Sequence, residues 1–434
     1  MPTPEPREFL IRVFRAAVAA ADPATATRQA VSEIRDLDSP SWVLAVGKGA
    51  HGMATGAVQA LRERRVQVAG GLVVAHAPDP HATHGLDATD GDHPVPGERS
   101  FAAADRLAAV AAGVPNDADA IVLVSGGATS LIASPVDGIS TGDLVATFSA
   151  LLDSGADIRV MNALRKRVLR FGAGRLALSL GARRIHCLIA SDVVGNDVPS
   201  IASGPCVADT SRASEARAHA TETAAWNALP SAVRAHIDAI ADGRAPDSVG
   251  RDHPRFATTS AKVILDRTTA AAGAVYAATK AGAVVEVVGE PLAGEASTTG
   301  ARIAQELVSR KRRAQLACVI WTGETTVTVG SSAGKGGRCQ ELALACAGAL
   351  ESAGDKADGI TVLAAGTDGR DGPTDAAGAI VDATTCGAIR NHDIDPAVAL
   401  QDHSSYDALN SAEALLKTGP TGTNVNDLVI TLLS

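Results

Sequence analysis

The sequence predicts an α/β protein of two domains, the first built on a mainly parallel sheet covered on both faces and the second on a mixed sheet. Three observations predict it. The chain has 434 residues, too many for one ordinary core. Short apolar runs of strand length alternate with segments of helical spacing along most of it. That alternation lapses once, over 209–256, and then resumes.

The elements follow in order. Residues 8–36 carry apolar side chains at helical spacing from Phe9 to Ile34. A run from Trp42 to Val46 leads into Gly47-Lys48-Gly49, and a helical pattern follows from His51 to Arg64. Gly71 to Ala75 is the next strand. The plan then repeats, with a helix from Ser100 to Ala112, a strand from Ala120 to Val124 and the turn Ser125-Gly126-Gly127. Arg184 to Ala190 is a third strand of this kind and ends in Ser191-Asp192. Residues 209–256 are Ala-rich, charged and helical in spacing, which marks a helical connection and sets the domains at 1–240 and 241–434. Ala261 to Leu265, Ala283 to Val288, Leu316 to Trp321, Thr325 to Val329, Ile360 to Ala364 and Leu428 to Leu432 are the later strand candidates. Thr325 follows Trp321 too closely for a crossover, so a hairpin is expected there, and with it a mixed sheet.

Composition excludes several classes of function. The formal charge is −9, and the basic stretches Arg165–Arg170 and Arg310–Arg313 are too short to track a nucleic acid or a lipid surface. No apolar run reaches the about 18–20 residues of a membrane helix. The N-terminus mixes charges with its apolar residues and lacks the apolar core of a secretory signal, so a cytoplasmic location is expected. The six cysteines form no C-x-x-C pair and read as thiols of a reducing compartment. His76, His81, His84 and His93 lie in one region but without the spacing of a zinc site. No G-x-S-x-G elbow is present for a serine hydrolase.

Chemistry is expected just beyond the carboxyl ends of the strands, where open α/β sheets bind ligands. Gly47, Lys48 and Gly49 open a G-x-G-x-x-G turn whose backbone N–H groups favour an anion. A dinucleotide site would want an acid at the end of the next strand, and that strand ends at Ala75-His76. Lys48, a positive charge inside the turn, favours phosphate instead. Ser125, Gly126 and Gly127, with Thr129 and Ser130 after them, make a second candidate cradle, although a tight turn needs the same small residues. Asp192 suits a general base or a metal ligand, with a helix cap as the alternative. Gly323-Glu324-Thr325-Thr326 opens a strand, while Gly336, Gly337 and Arg338 open a helix and could hold a polyphosphate or carboxylate. A structural salt bridge is the alternative for Arg338. Asp368, Asp371 and Asp375 share a glycine-rich loop that could support a hydrated Mg²⁺ or form Asx turns. Gly419 to Asp427 is a last polar loop and contains Asn424.

Taken together, these loops resemble the glycerate 2-kinases whose C-terminal half is called the MOFRL domain. The match spans nearly the whole chain. It rests on Gly47-Lys48-Gly49, Gly91-Asp92-His93-Pro94-Val95-Pro96, Ser125-Gly126-Gly127-Ala128, Asn162-Ala163-Leu164-Arg165-Lys166, Ser191-Asp192-Val193-Val194-Gly195 with Ser203-Gly204-Pro205, Gly323-Glu324-Thr325-Thr326, Gly336-Gly337-Arg338, Gly366-Thr367-Asp368-Gly369 with Asp371 to Asp375, and Gly419 to Asn424. The resemblance implies a Rossmann-like three-layer N-terminal domain, a smaller α/β C-terminal domain and an active cleft between them. It implies ATP and Mg²⁺, with D-glycerate becoming 2-phosphoglycerate. Lys48, Asp192 and Arg338 are the catalytic candidates. Arg165, Asp197 and Asn424 are the candidates for binding glycerate. No nucleic acid or membrane partner is expected, and a homodimer is a possible assembly. Cys339 stands where the family usually has Asn. Some members are labelled hydroxypyruvate reductases, which makes an NAD(P)H-dependent reductase the alternative function.

Overall fold

The computed structural model describes residues 5–76, 84–154, 158–222, 225–310, 316–329 and 334–434. His81 and residues 311–313 of the second basic stretch lie outside them. The chain forms two compact units, one of residues 23–264 and one of residues up to Asp22 with 265–434. These divisions differ from the boundary at 240/241 that the sequence suggests. The helical pattern of 8–36 is interrupted at Ala21-Asp22, giving helices Pro6–Ala20 and Pro23–Ser32. The first of these packs Ala16, Ala17 and Ala20 on Gly273 of the helix Arg267–Lys280, so the N-terminus belongs to the C-terminal unit.

The unit of residues 23–264 is built on strands β1 (Ser41–Val46), β2 (Val68–Ala75), β3 (Asp87–Asp90), β4 (Asp119–Val124), β5 (Arg184–Ala190) and β6 (Thr259–Leu265). They lie in the order β3-β2-β1-β4-β5-β6. The pairs from β3 through β5 are all parallel. β4 is buried along its whole length, which is why it reads as a continuous apolar run. β6 joins this sheet rather than the second one. Helices cover β1, β2 and β4, with Ala103, Ala104 and Leu107 packed on Leu44, Val46 and Val122. The helices within 209–256 are not a bare connection. Their Leu229, Val233 and Ile237 share a core with Phe148, Leu151, Leu164 and Val168.

The basic stretch at 165–170 is largely interior. Arg167 is fully buried against Asp209 at 3.8 Å and Asp247 at 3.1 Å, and Lys166 meets Asp209 at 3.3 Å. Burial pushes the Asp209 carboxyl up, yet Lys166, the Ser211 hydrogen bonds and Arg167 outweigh it and hold the group below its ordinary value.

The second sheet contains β7 (Val284–Val287), β8 (Ala317–Gly323), β9 (Ile360–Gly366), β10 (Gly378–Val381), β11 (Leu415–Leu416) and β12 (Asp427–Leu433), in the order β11-β10-β9-β12-β8-β7. It is mixed, as expected, but not through a hairpin at Thr325–Val329. That segment makes only an isolated bridge, Thr326 to Glu295. The antiparallel partners are instead β12, inserted between β8 and β9, and the pair β9/β10. The helix Arg338–Ala353 lies in the core with Trp321, Val362 and Val429. Among the described residues no helix is long and apolar enough to cross a membrane.

Candidate active site

In the first unit the strand order reverses between β1 and β4. This is the switch point at which an open parallel sheet leaves room for a ligand. Register aligns the two strand ends, with Val46 opposite Val124. Their following loops are therefore neighbours, and they are bonded together. Gly49 N donates to Ser125 Oγ at 2.9 Å, and Lys48 N donates to the Gly126 carbonyl at 2.9 Å. Gly47 takes φ +129°, and a Cβ there would lie 2.1 Å from Ser125 Oγ. Glycine is required at that position both by conformation and by space. Lys48 is exposed at the crest of this double turn.

His93 closes the same corner. A Cβ on Gly127 would sit 2.9 Å from the His93 ring and 3.6 Å from Lys48 Cγ. Burial, then the charge of Lys48, then His76, push the His93 imidazole down to about 4, so it is neutral at neutral pH. Asp192 follows β5, the neighbour of β4, and is half-buried. Asp197 lies further along that loop, is exposed and accepts a hydrogen bond from the Ser200 hydroxyl. Arg165 stacks 4.8 Å from the Phe148 ring. Its Nε is buried without a hydrogen-bond partner among the described residues, and burial lowers its pKa. A guanidinium partly stripped of water in this way favours an incoming anion.

In the second unit the candidates gather where β8 and β9 end and β12 begins. Register sets Asp427 opposite both Gly323 and Gly366. Arg338, the first residue of its helix, donates from Nε and Nη2 to Asp427 at 2.6 and 3.0 Å, and its Nη1 lies 2.5 Å from Glu324. Burial works against that charge, but the Asp427 hydrogen bonds and the charges of Asp427 and Glu324 outweigh it and raise the Arg338 pKa above its ordinary value. The salt bridge that the sequence leaves open for Arg338 is thus present. Its guanidinium is oriented by it and remains about one-third exposed.

The three aspartates of the 368–375 loop turn to different partners. Asp371 caps the helix, accepting from Cys339 N at 3.1 Å and Gln340 N at 2.8 Å. Its nearness explains Gly337, where a Cβ would lie 2.4 Å from the Asp371 carboxyl. Burial first, and then the charge of Asp427, raise the Asp371 pKa to about 7. Asp368 accepts from Arg370 N at 3.0 Å in an Asx turn. Asp375 is exposed and bonds Tyr406 Oη at 2.6 Å and Lys417 at 3.2 Å. Among the described residues no group of three His, Cys, Asp or Glu side chains is arranged to hold a metal. These carboxylates therefore do not fit a ready-made cation cage. Gly336 packs on Ser405, where a Cβ would meet the hydroxyl at 2.3 Å. Asn424 is half-buried in the loop before β12.

Sequence reasoning misses two residues of these sites. Asp427 closes the last polar loop, and only its position beside two strand ends ties it to Arg338. His93 lies in a motif already singled out, Gly91-Asp92-His93-Pro94, but nothing in the sequence ties it to Lys48.

Residues 9–238 match the family model described as a domain of unknown function, DUF4147, and residues 317–427 match the MOFRL family. The chain is similar to the glycerate 2-kinase of Pyrococcus horikoshii, with 33% identity covering 99% of this chain and 97% of that one. It is 33% identical to the D-glycerate 2-kinase of Thermotoga maritima over 98% of each. A putative hydroxypyruvate reductase of Agrobacterium vitis is 34% identical over 97% of this chain and 93% of its own length. The crystal structure of glycerate kinase from Thermotoga maritima superposes with a TM-score of 0.83, at 32% identity over 99% of both chains. With full-length relatives at this identity and both domain models matched in order, the chain belongs to the glycerate 2-kinase family that carries a MOFRL domain.

Proposed function

We propose that the protein transfers the γ-phosphoryl group of ATP to the 2-hydroxyl of D-glycerate, releasing ADP and 2-phosphoglycerate. The observation that carries this reading is Lys48, exposed at the switch point on a double turn of small residues that is locked by the Gly49–Ser125 hydrogen bond. Such a turn holds a positive charge where a phosphate would lie, which phosphoryl transfer uses most.

The roles follow from chemistry. The glycerate 2-hydroxyl oxygen forms a bond to the γ-phosphorus, the bond from that phosphorus to the β,γ-bridging oxygen breaks, and ADP leaves. Asp192 orients the hydroxyl and takes its proton. Lys48 in the first unit and Arg338 in the second are the cations suited to phosphate oxygens. Gly47, Gly49 and Ser125 spend their N–H groups on Val74, Ser125 and Val46 and shape the turn, so Gly126 and Gly127, and in the second unit Gly336 and Gly337, are the glycines assigned to let phosphate approach the backbone. Arg165 suits the glycerate carboxylate, with Asp197 and Asn424 as hydroxyl partners. Glu324 acts through Arg338. Mg²⁺ would be brought with the nucleotide and would offset charge on its phosphates. Asp368 holds an Asx turn with Arg370 N, Asp371 caps a helix and Asp375 pairs with Lys417.

The reductase reading finds less support, because β2 ends at Ala75 with His76 next, where a ribose-binding acid would be wanted. Two assays separate the readings. Purified protein with ATP, Mg²⁺ and D-glycerate is expected to release ADP, and with NADH and hydroxypyruvate to leave the absorbance unchanged. NADH consumption without ADP release would reverse the assignment.

A further inference from the structure

Arg338 is held by two carboxylates of very different standing. Asp427 takes one whole edge of the guanidinium, Nε at 2.6 Å and Nη2 at 3.0 Å, and its side chain is 4% exposed. It is fixed by the sheet, since β12 pairs on both sides and sets Asp427 between Gly323 and Gly366. Glu324 meets Nη1, at 2.5 Å, and is 42% exposed. It lies beyond the end of β8 and also accepts from Asn426 Nδ2 at 3.1 Å. A buried bidentate pair is costly to break, because it strands a charge. An exposed ion pair contributes little and is exchanged readily.

We propose that Asp427 is the positioning residue that aims Arg338, and that Glu324 is a displaceable counter-ion whose place a phosphate oxygen of ATP takes. This rests on the assignment of Arg338 to phosphate. Before nucleotide arrives, Glu324 neutralises the exposed end of the guanidinium. When a phosphate with more than one negative charge approaches, it competes for Nη1 with a singly charged carboxylate, while Asp427 keeps the fork in register. A monoanionic ligand gains less from the exchange, so the arrangement favours polyphosphates over simple carboxylates at this position.

The two carboxylates are therefore expected to respond in opposite directions. Glu324→Gln removes the competitor from a surface position. It should lower the KM for ATP about two- to fivefold, the range an exposed ion pair is worth, without raising the Mg²⁺ concentration needed for half-maximal rate. Asp427→Asn loosens the guanidinium. It should lower kcat roughly 10- to 100-fold, as misplacing a catalytic group by about an ångström does, and raise the KM for ATP. An increased KM and Mg²⁺ requirement in Glu324→Gln would overturn the proposal, because Glu324 would then serve the metal–nucleotide directly. So would a wild-type kcat in Asp427→Asn. If Asp427→Asn does not fold, the sign of the Glu324→Gln effect still decides. Arg338→Ala is the control for the underlying reading. Wild-type kinetics in that variant would remove Arg338 from phosphate handling altogether, a different result from an intact Arg338 with an inert Glu324.

Discussion

The backbone N–H of Gly49 donates to the hydroxyl of Ser125 at 2.9 Å, joining two loops that are 76 residues apart in the chain. The Gly47-Lys48-Gly49 turn after β1 is therefore not a self-sufficient motif. It is one half of a double turn whose other half follows β4.

Gly47→Ala tests that joint. The substitution puts a methyl group 2.1 Å from Ser125 Oγ in a backbone with φ +129°. A loss of about 1–3 kcal/mol in unfolding free energy is expected, together with a fall in kcat/KM for ATP. Chemical denaturation and steady-state kinetics on the same sample check both. Unchanged stability would mean that the loops separate freely.

Arg338→Lys is expected to be nearly as damaging to kcat as Arg338→Ala. A lysine ammonium cannot take the two oxygens of Asp427 in parallel and still present a further donor. A lysine variant with wild-type turnover would reduce Arg338 to a general positive charge.

Asp371 gives a pH dependence whose sign can be worked out. Its folded pKa is about 7 against an ordinary 3.8. Between those values the folded state holds a proton that the unfolded state has lost. The stabilisation from that proton is complete below about 3.8 and is lost as pH rises through about 7. Asp371→Asn keeps a neutral cap and cannot titrate. The stability of the variant relative to wild type should therefore rise from pH 5 to pH 8, measured by denaturation at each pH. A flat difference would show that Asp371 is ionised throughout.

Asp209→Ala leaves Lys166 and Arg167 buried, with Asp247 the remaining carboxylate for Arg167 among the described residues. A cost of about 3–5 kcal/mol is expected from the uncompensated charge. A thermal or urea melt would show it, and a cost under 1 kcal/mol would mean that water reaches the pair.

The strands that carry these sites were legible because each is a largely buried, mainly apolar run ended by glycine or by a small polar residue: β1, β8 and β9 run into glycine, β4 and β5 into serine. β3 was not legible, since Asp87-Ala88-Thr89-Asp90 has no apolar signature. Nor was β11, which has two residues. The strand expected at Thr325–Val329 has the right β-branched composition, yet the neighbouring edge of β8 is taken by β12. That pairing spans more than 100 residues, and no local pattern reports it. For the same reason Lys48 and Arg338 could be singled out by charge and position, whereas Asp427 could not. Its role depends on which strands flank β12. The metal expectation for Asp371 and Asp375 followed from composition, while the side chains answer to a helix end and to Lys417.

The most direct test of the central claim is ³¹P NMR of the reaction mixture of purified protein, ATP, Mg²⁺ and D-glycerate, with Lys48→Ala alongside. The expected result is the resonance of 2-phosphoglycerate growing as ADP forms, and no such product from the variant. Phosphate on the 3-hydroxyl, ADP with inorganic phosphate only, or equal turnover by Lys48→Ala would contradict it.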